Sequence, residues 1–599
     1  MNIGEWQMAT SDRSVYHLLS TEKNMQEFKY DYNYNIKAKK DMTYDAIVIG
    51  SGMSGGWAAK ELCEAGLKTL VLERGRIVQH LKDYPDMNKE AWDYEYRGSA
   101  TPEMKKKHHV WLRSNWLGEA SSNFYSNDEE NPYTEVKPFL WLRAHQMGGR
   151  SQLWGKQTYR WSDIDFEANA KDGHGVDWPI RYKDIAPWYR HVEKFIGISG
   201  DPIGLPQLPD SEFLPPMELN CVEKDVKARI EKAYPGRNLI IGRVAHLTQE
   251  HNGRGKCQSR NKCSMGCPYS AFFSANSVTL PYANATGNLT IRPWSIANSI
   301  IYDEEQGKAT GVRVIDAESG EMYEYNAKII FVNASTISTT RILLNSTSDR
   351  FPNGLGNDSG ELGHNLMDHT YRTGALGTFE GHEDTYYKGR RPNGIYIPRY
   401  WNINDQTKSD KFVRGFGYQG GAYRPGWGGG ANREGFGANF KDSLFTNPGP
   451  WEFFITGFAE CLPYHENKVT LDKNTVDKWG QPVVAIDCEW KENELALRKQ
   501  IEEDAVEMLE RAGLKNIKGF DVGHEPGYGI HEMGTARMGR DPKTSVLNAT
   551  NQIHACKNVF VTDGACMTSN SCVNPSLTYM ALTARAANHA IAELKKMNL

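Results

Sequence analysis

Two stretches of this chain place residue types at spacings that could do chemistry. In the run YDAIVIGSGMSGG, Gly50, Gly52 and Gly55 stand at the intervals of a dinucleotide-binding turn, and Glu73 follows 23 positions after Gly50. Glycines so spaced permit a tight turn, close approach of backbone to a pyrophosphate and close packing of a helix on a strand. The helix N-terminus then offers unpaired N–H groups to the anion, and a carboxylate ending the next strand can accept hydrogen bonds from a ribose. The second stretch is GKCQSRNKCSMGCPYSA, where Cys257, Cys263 and Cys267 are separated by five and three residues and Pro268 follows the third. Three thiolates on one loop suit a three-iron cluster, or a four-iron cluster whose last ligand lies elsewhere. Zinc completed by His251, or a disulfide plus a free thiol, are competing readings of the same residues.

These groups need elements to hold them. Residues 46–49 are apolar and β-branched and read as a buried parallel strand; residues 57–65 read as a helix, and 69–72 as a second strand ending at Glu73. The order strand, glycines, helix, strand, acid is what the fingerprint requires. Gly148, Gly149 and Ser151 supply another backbone-accessible turn with a hydroxyl. Near the C-terminus a strand at 559–562 ends in Asp563-Gly564, and Asn574-Pro575 precedes a helix over 576–595. That is a second place where backbone N–H groups can face a cofactor. Residues 79–139 show little regular pattern, which fits either a cover over the cofactor or a plain surface loop. Residues 379–521 begin Gly- and aromatic-rich, become β-patterned at 467–471 and 483–487, and then helical at 492–512, which predicts a second domain with a sheet roofing the cofactor.

At 599 residues the chain exceeds one small core, so two or more domains are expected. With 70 Lys+Arg against 74 Asp+Glu and no long basic block, nucleic acid is excluded as a partner. No run of 18 apolar residues exists, and the start shows no charged region followed by an apolar one, so neither a membrane span nor a Sec signal is expected. Ten cysteines are too few for a disulfide scaffold in so long a chain.

Four motifs in order, GSGMSGG with Glu73, GGRSQLWG at 148–155, HEMGTARMG from His531 and TDGACMTSNSCVNPSLT near the end, resemble those of the glucose–methanol–choline (GMC) flavin oxidoreductases. The cysteine loop resembles that of the catalytic subunits of bacterial multi-subunit FAD-dependent glucose and glucoside 3-dehydrogenases. The resemblance implies an α/β, Rossmann-like FAD-binding domain plus an α+β substrate domain with an antiparallel sheet. It implies an N-terminal extension at 1–42, an FAD domain from 43–165, 286–372 and 525–599, and a substrate domain from 166–285 and 373–524. By motif position, His531 is the catalytic base and Asn574 orients the substrate oxygen, while His369 in GHNLMDH is expected to be structural. Cofactor contacts are implied at Gly50, Gly52, Ser54, Gly55, Glu73, Arg74, Gly148, Gly149, Ser151, Leu153, Trp154, Gly155, Asp563, Gly564, Asn574 and Pro575. Cys257, Cys263 and Cys267 are implied to hold an iron–sulfur cluster of the three-iron type.

Two departures bear on this. Leu153 stands where some members carry a histidine joined to the flavin, so FAD is expected to be non-covalent. Asn333-Ala334-Ser335-Thr336 replaces the usual AAGA. The implied reaction removes a hydroxyl proton while the carbon-bound hydrogen leaves as hydride to flavin, with a neutral imidazole as base. Electrons would pass through the cluster to a cytochrome c partner, with a small accessory subunit in the complex. Oxidation at C3 of a glucoside is the expected reaction, with C1 of glucose and C2 of gluconate as alternatives. An alcohol oxidase without a cluster, or a silent flavin docking subunit, are further alternatives. The cytochrome implies a periplasmic location by co-export with a signal-bearing partner, against a cytoplasmic one.

Overall fold

The computed structural model describes residues 28–38, 42–385, 392–426 and 434–599. The strand Thr43–Ile49 pairs in parallel with Thr69–Leu72 on one side and Met322–Val332 on the other. The full order is Gln552–Ile553, Cys556–Val561, Met322–Val332, Thr43–Ile49, Thr69–Leu72, Leu289–Arg292. An antiparallel hairpin, Ser295–Asp303 with Lys308–Asp316, joins this sheet through Met322–Val332. The central strands are buried on both faces, and the period of two is visible in what each residue touches. Ala46 and Val48 pack with Ala58, Ala59, Leu62, Ala586, Ala587 and Ala590 from the helices Met53–Glu64 and Ser576–Lys595. Ile47 and Ile49 face the opposite layer with Ile342 and Leu343 of the helix Thr336–Asn345.

A second, six-stranded antiparallel sheet runs in the order Lys515–Asp521, Thr370–Phe379, Trp451–Ala459, Phe416–Tyr423, Ile395–Ile397, Ile240–Ile241. The helix Glu492–Arg511 covers one face, where Leu497, Ile501, Ala505 and Met508 pack on Ala375, Phe453, Ile455 and Tyr418. A Cβ at Gly457 would lie 2.5 Å from Ile501. Glycine there lets the helix seat on the strands. The other face turns Tyr371, Gln419 and Phe458 toward a cavity between the two sheets.

This roof differs from the one expected. The alternating pair at 467–471 and 483–487 forms a hairpin, Lys468–Val476 with Pro482–Asp487, in a separate three-stranded sheet completed by Thr134–Glu135. The strands over the cavity come instead from the Gly- and aromatic-rich stretch, whose glycines hide the alternation. The irregular segment 79–139 contributes Trp111, Trp116 and Tyr125 to the cavity wall; Trp111 and Tyr125 stack at 3.9 Å. Residues 1–27 and 39–41 of the expected N-terminal extension lie outside the described residues. Residues 28–38 lie against the α/β layer, where Asp31 N donates to Pro281 O and Asn35 O accepts from Ile291 N.

Candidate active site

The cavity between the sheets has a volume of about 810 Å³. At one end lies the glycine turn, whose three glycines do different work. A Cβ at Gly50, where φ is +92°, would stand 2.4 Å from Asn333 O, and one at Gly55 would stand 1.9 Å from Gly50 O. Both positions are closed by the protein's own backbone. A Cβ at Gly52 would meet nothing within 4 Å, and Gly52 caps the helix Met53–Glu64 with no side-chain hydrogen bond. The helix N-terminus therefore opens onto empty cavity, the arrangement that accepts a pyrophosphate. Asn333 Nδ2, buried on the same wall, has no partner within the protein.

Glu73 ends its strand at the cavity, held by Ser51 Oγ and by Gly75 N at 2.9 Å. Burial raises its carboxyl to about 7. Arg74 also reaches the wall, but its guanidinium is engaged by Asp477 at 3.2 Å and Asn131 at 2.9 Å. Ser54, Gly149, Ser151, Leu153, Trp154 and Gly155 line the cavity. Gly148 adopts φ +84° behind them, its N–H bonded to Ser51 Oγ at 3.0 Å, and Ser151 Oγ bonds Gly148 O and Ala275 N. Trp154 Nε1 donates to Phe273 O at 2.9 Å. Asp563 and Gly564 line the far wall; burial raises the Asp563 carboxyl to about 6 while it accepts from Thr339 Oγ1 and Ala565 N. Pro575 caps the helix Ser576–Lys595 behind the wall, and Asn574 and Ser576 on either side of it face the cavity. In place of AAGA, Ser335 takes φ +76° and receives Arg150 on its hydroxyl at 3.2 Å.

The other end of the cavity gathers His531, Asn574 and Gln419. His531 Nε2 is 3.4 Å from Asn574 Nδ2, and Gln419 Nε2 donates to Asn574 Oδ1 at 2.7 Å. Burial, then the neighbouring His369 and Arg150, holds His531 well below the usual 6.5. It is therefore neutral at neutral pH, the form a base requires. Its loop is clamped from below: the buried Asp368 carboxylate accepts from the N–H groups of Gly527 at 2.8 Å, Gly529 at 3.0 Å and His531 at 2.9 Å. Arg150 forks onto Glu532 at 2.9 and 2.7 Å beside it. Asp368, Gln419 and the Arg150–Glu532 pair escape sequence reasoning because their partners lie far off in the chain: 155 positions from Gln419 to Asn574, 163 from Asp368 to His531 and 382 from Arg150 to Glu532.

The cysteine loop lies next to this cavity, reaching its wall at Ser264. All three cysteines are free thiols, which removes the disulfide reading. Cys263 Sγ stands 3.6 Å from His246 Nε2, and Ser259 N donates to Cys257 Sγ at 3.4 Å. His251, the fourth ligand of the zinc reading, is turned away, its Nε2 bonded to Lys194 O at 2.8 Å. Among the described residues no group of three or more His, Cys, Asp or Glu is arranged to hold a metal ion. The expected three-thiolate ligand set is thus not assembled here.

Sequence comparison settles the family. Models of the GMC oxidoreductase match residues 44–371 and 463–583. This chain is a GMC oxidoreductase. Relatives within the family include a 2-methyl-1,2-propanediol dehydrogenase of Mycolicibacterium austroafricanum, 30% identical over 91% of this chain and 94% of that protein. Another is the fructose dehydrogenase large subunit of Gluconobacter japonicus, 23% identical over 93% of this chain and all of that protein. Among solved structures, pyridoxine 4-oxidase from Mesorbium loti superposes with a TM-score of 0.57 at 15% identity, covering 91% of this chain and 98% of that one. That likeness concerns the fold.

The GMC oxidoreductase binds FAD, and the residues present fit it. The open space at Gly52, the unpartnered Asn333 Nδ2 and the carboxylate of Glu73 provide for its phosphates and ribose. Leu153 offers no atom for a covalent link to the ring.

Proposed function

We propose that this GMC oxidoreductase is a dehydrogenase that oxidises a CH–OH group of a sugar or glycoside, with C3 of a glucoside as the finer assignment and C1 of glucose or C2 of gluconate as the alternatives. The observation that carries the reading is the convergence of a neutral His531 and a Gln419-held Asn574 on the same cavity that the glycine turn and Glu73 line. FAD, when bound, supplies the acceptor for the hydride. The chain's own residues do the rest. His531 Nε2 takes the hydroxyl proton as the C–H bond breaks. Asn574 Nδ2 hydrogen-bonds the substrate oxygen and holds it against the imidazole, and Gln419 fixes the amide so that its NH₂ faces inward. Tyr371, Phe458 and Trp116 give apolar surface for the C–H faces of a sugar ring and exclude water from the proton transfer.

Relatives named for diol and fructose oxidation support a hydroxylated substrate. One of them is a large subunit, which supports assembly with a smaller accessory subunit; a cytochrome c acceptor and placement at the periplasmic face by co-export are part of the same proposal. Among the described residues no helix is long and apolar enough to cross a membrane. An iron–sulfur cluster at Cys257, Cys263 and Cys267 rests on spacing and on the resemblance of the loop, and the loop conformation does not fit it, so no electron step is derived through these thiols. Iron and acid-labile sulfide per flavin in anaerobically purified protein decide that point.

Substrate and position are tested by anaerobic mixing of the flavin-loaded protein with methyl glucoside, glucose, gluconate and a vicinal diol, with NMR of the product. A 3-keto glycoside is expected. A lactone, a 2-keto acid or a hydroxy-aldehyde would move the assignment to the corresponding carbon. Hydrogen peroxide formed in air at the rate of turnover would replace the dehydrogenase reading by an oxidase.

A further inference from the structure

His369 precedes the strand Thr370–Phe379 and is fully buried. It does not line the cavity described above, yet its ring stands edge-on to that of His531, centroids 4.8 Å apart at 82°. Its Nδ1 lies 2.8 Å from His531 Nδ1, and its Nε2 is hydrogen-bonded to the carbonyl oxygen of Ser571. A carbonyl oxygen only accepts, so the hydrogen of that bond belongs to His369 Nε2. A neutral imidazole carries one N–H, which leaves a lone pair on His369 Nδ1. The bond between the two Nδ1 atoms needs one hydrogen, and only His531 can supply it. His531 is then protonated on Nδ1 and bare on Nε2.

A second set of contacts leads to the same result from the other side. Gln419 donates to Asn574 Oδ1, which turns Asn574 Nδ2 toward His531 Nε2. A donor aimed at that nitrogen suits a lone pair and would repel an N–H. With His531 in the opposite tautomer, two lone pairs would face each other at 2.8 Å and two N–H groups would oppose each other across the site. We propose that His369 is a positioning residue: it fixes His531 in the tautomer whose Nε2 lone pair faces the substrate hydroxyl. The inference rests on His531 being the base.

Burial holds His369 at about 4, so it is neutral where the enzyme works. The titratable and charged groups facing the pair are Asp368, whose carboxyl burial raises to about 7, and Arg150, which is bound to Glu532. When the substrate O–H bond breaks, its proton settles on Nε2, and the Nδ1–H stays hydrogen-bonded to His369 throughout. The electron pair of the C–H bond leaves with the hydride, so no proton need cross the His369–His531 bond.

The test uses the FAD-loaded enzyme. His369→Leu removes the acceptor. It is expected to lower kcat/KM by about 100-fold or more, in the range a misoriented general base loses, with flavin content and spectrum unchanged and the acid limb of the pH profile displaced. In His369→Gln the side-chain amide can donate to Ser571 O and accept from His531, and activity is expected to return to within about tenfold of wild type. In the wild-type protein, ¹⁵N resonances of the His531 ring, identified by their loss in His531→Ala, are expected to show hydrogen on Nδ1 and none on Nε2. That measurement stands even if His369→Leu fails to fold. A ring hydrogen on Nε2, or a folded His369→Leu enzyme within twofold of wild type with an unchanged pH profile, overturns the inference and leaves the base assignment standing. A His531→Ala enzyme at the wild-type rate overturns the base assignment itself.

Discussion

His531 owes its chemistry to its surroundings: an imidazole with an ordinary value of 6.5 is pushed well below it by burial, His369 and Arg150. A base works when deprotonated, so depression of its pKa moves the loss of activity to lower pH. The acid limb of kcat/KM in the free enzyme is therefore predicted to lie below 6.5, with no loss from this group as pH rises above it; a limb centred above 6.5 in a pH–rate profile would contradict the burial argument. His531 and Asn574 were legible at this scale because they sit in dense local motifs. His369 reads as structural from sequence, since its two partners lie 162 and 202 positions away and one sequence carries no distances.

The glycine turn makes the sharpest prediction among the elements. Gly50→Ala introduces a Cβ 2.4 Å from Asn333 O at a φ of +92°, a strained position with no room. It is expected to cost about 1–3 kcal/mol or more, read as a lower melting temperature with or without FAD. Gly52→Ala adds a Cβ that meets nothing in the protein within 4 Å. It is expected to melt like the wild type when flavin-free and to lose most of its FAD affinity, measured by flavin fluorescence. Equal melting losses in the two flavin-free variants would refute the division of labour. The strand–turn–helix–strand unit could be read because local period, glycine spacing and acid agree within 30 residues. The roof strand Phe416–Tyr423, which brings Gln419, could not: FGYQGGAY has glycine where alternation would show, and its pairing with Trp451–Ala459 is a long-range fact.

The whole molecule is a cavity held between an α/β layer and an antiparallel roof, with a bound dinucleotide expected to bridge the two. A ligand that binds only the folded state at 100 times its dissociation constant adds about 2.7 kcal/mol. Removing FAD is therefore predicted to lower the melting temperature, and adding it back to restore it, in a calorimetric titration; a melting point indifferent to FAD would mean the cavity is not its site. The cysteine loop marks the limit of sequence reading at this scale. Spacing brings Cys257, Cys263 and Cys267 onto one loop, but convergence of sulfur atoms depends on backbone turns and on neighbours such as His246 and Lys156 that spacing does not encode.

The central claim, that His531 takes a proton from a bound sugar alcohol as its hydride leaves, is tested most directly by anaerobic stopped-flow of the FAD-loaded enzyme with methyl glucoside, glucose, gluconate and a vicinal diol, wild type against His531→Ala. The account predicts that at least one of these bleaches the wild-type flavin, and that the variant, with full flavin occupancy, does so about 10²–10⁴-fold more slowly. A flavin that none of them reduces, or a His531→Ala enzyme that bleaches as fast as the wild type, would contradict it.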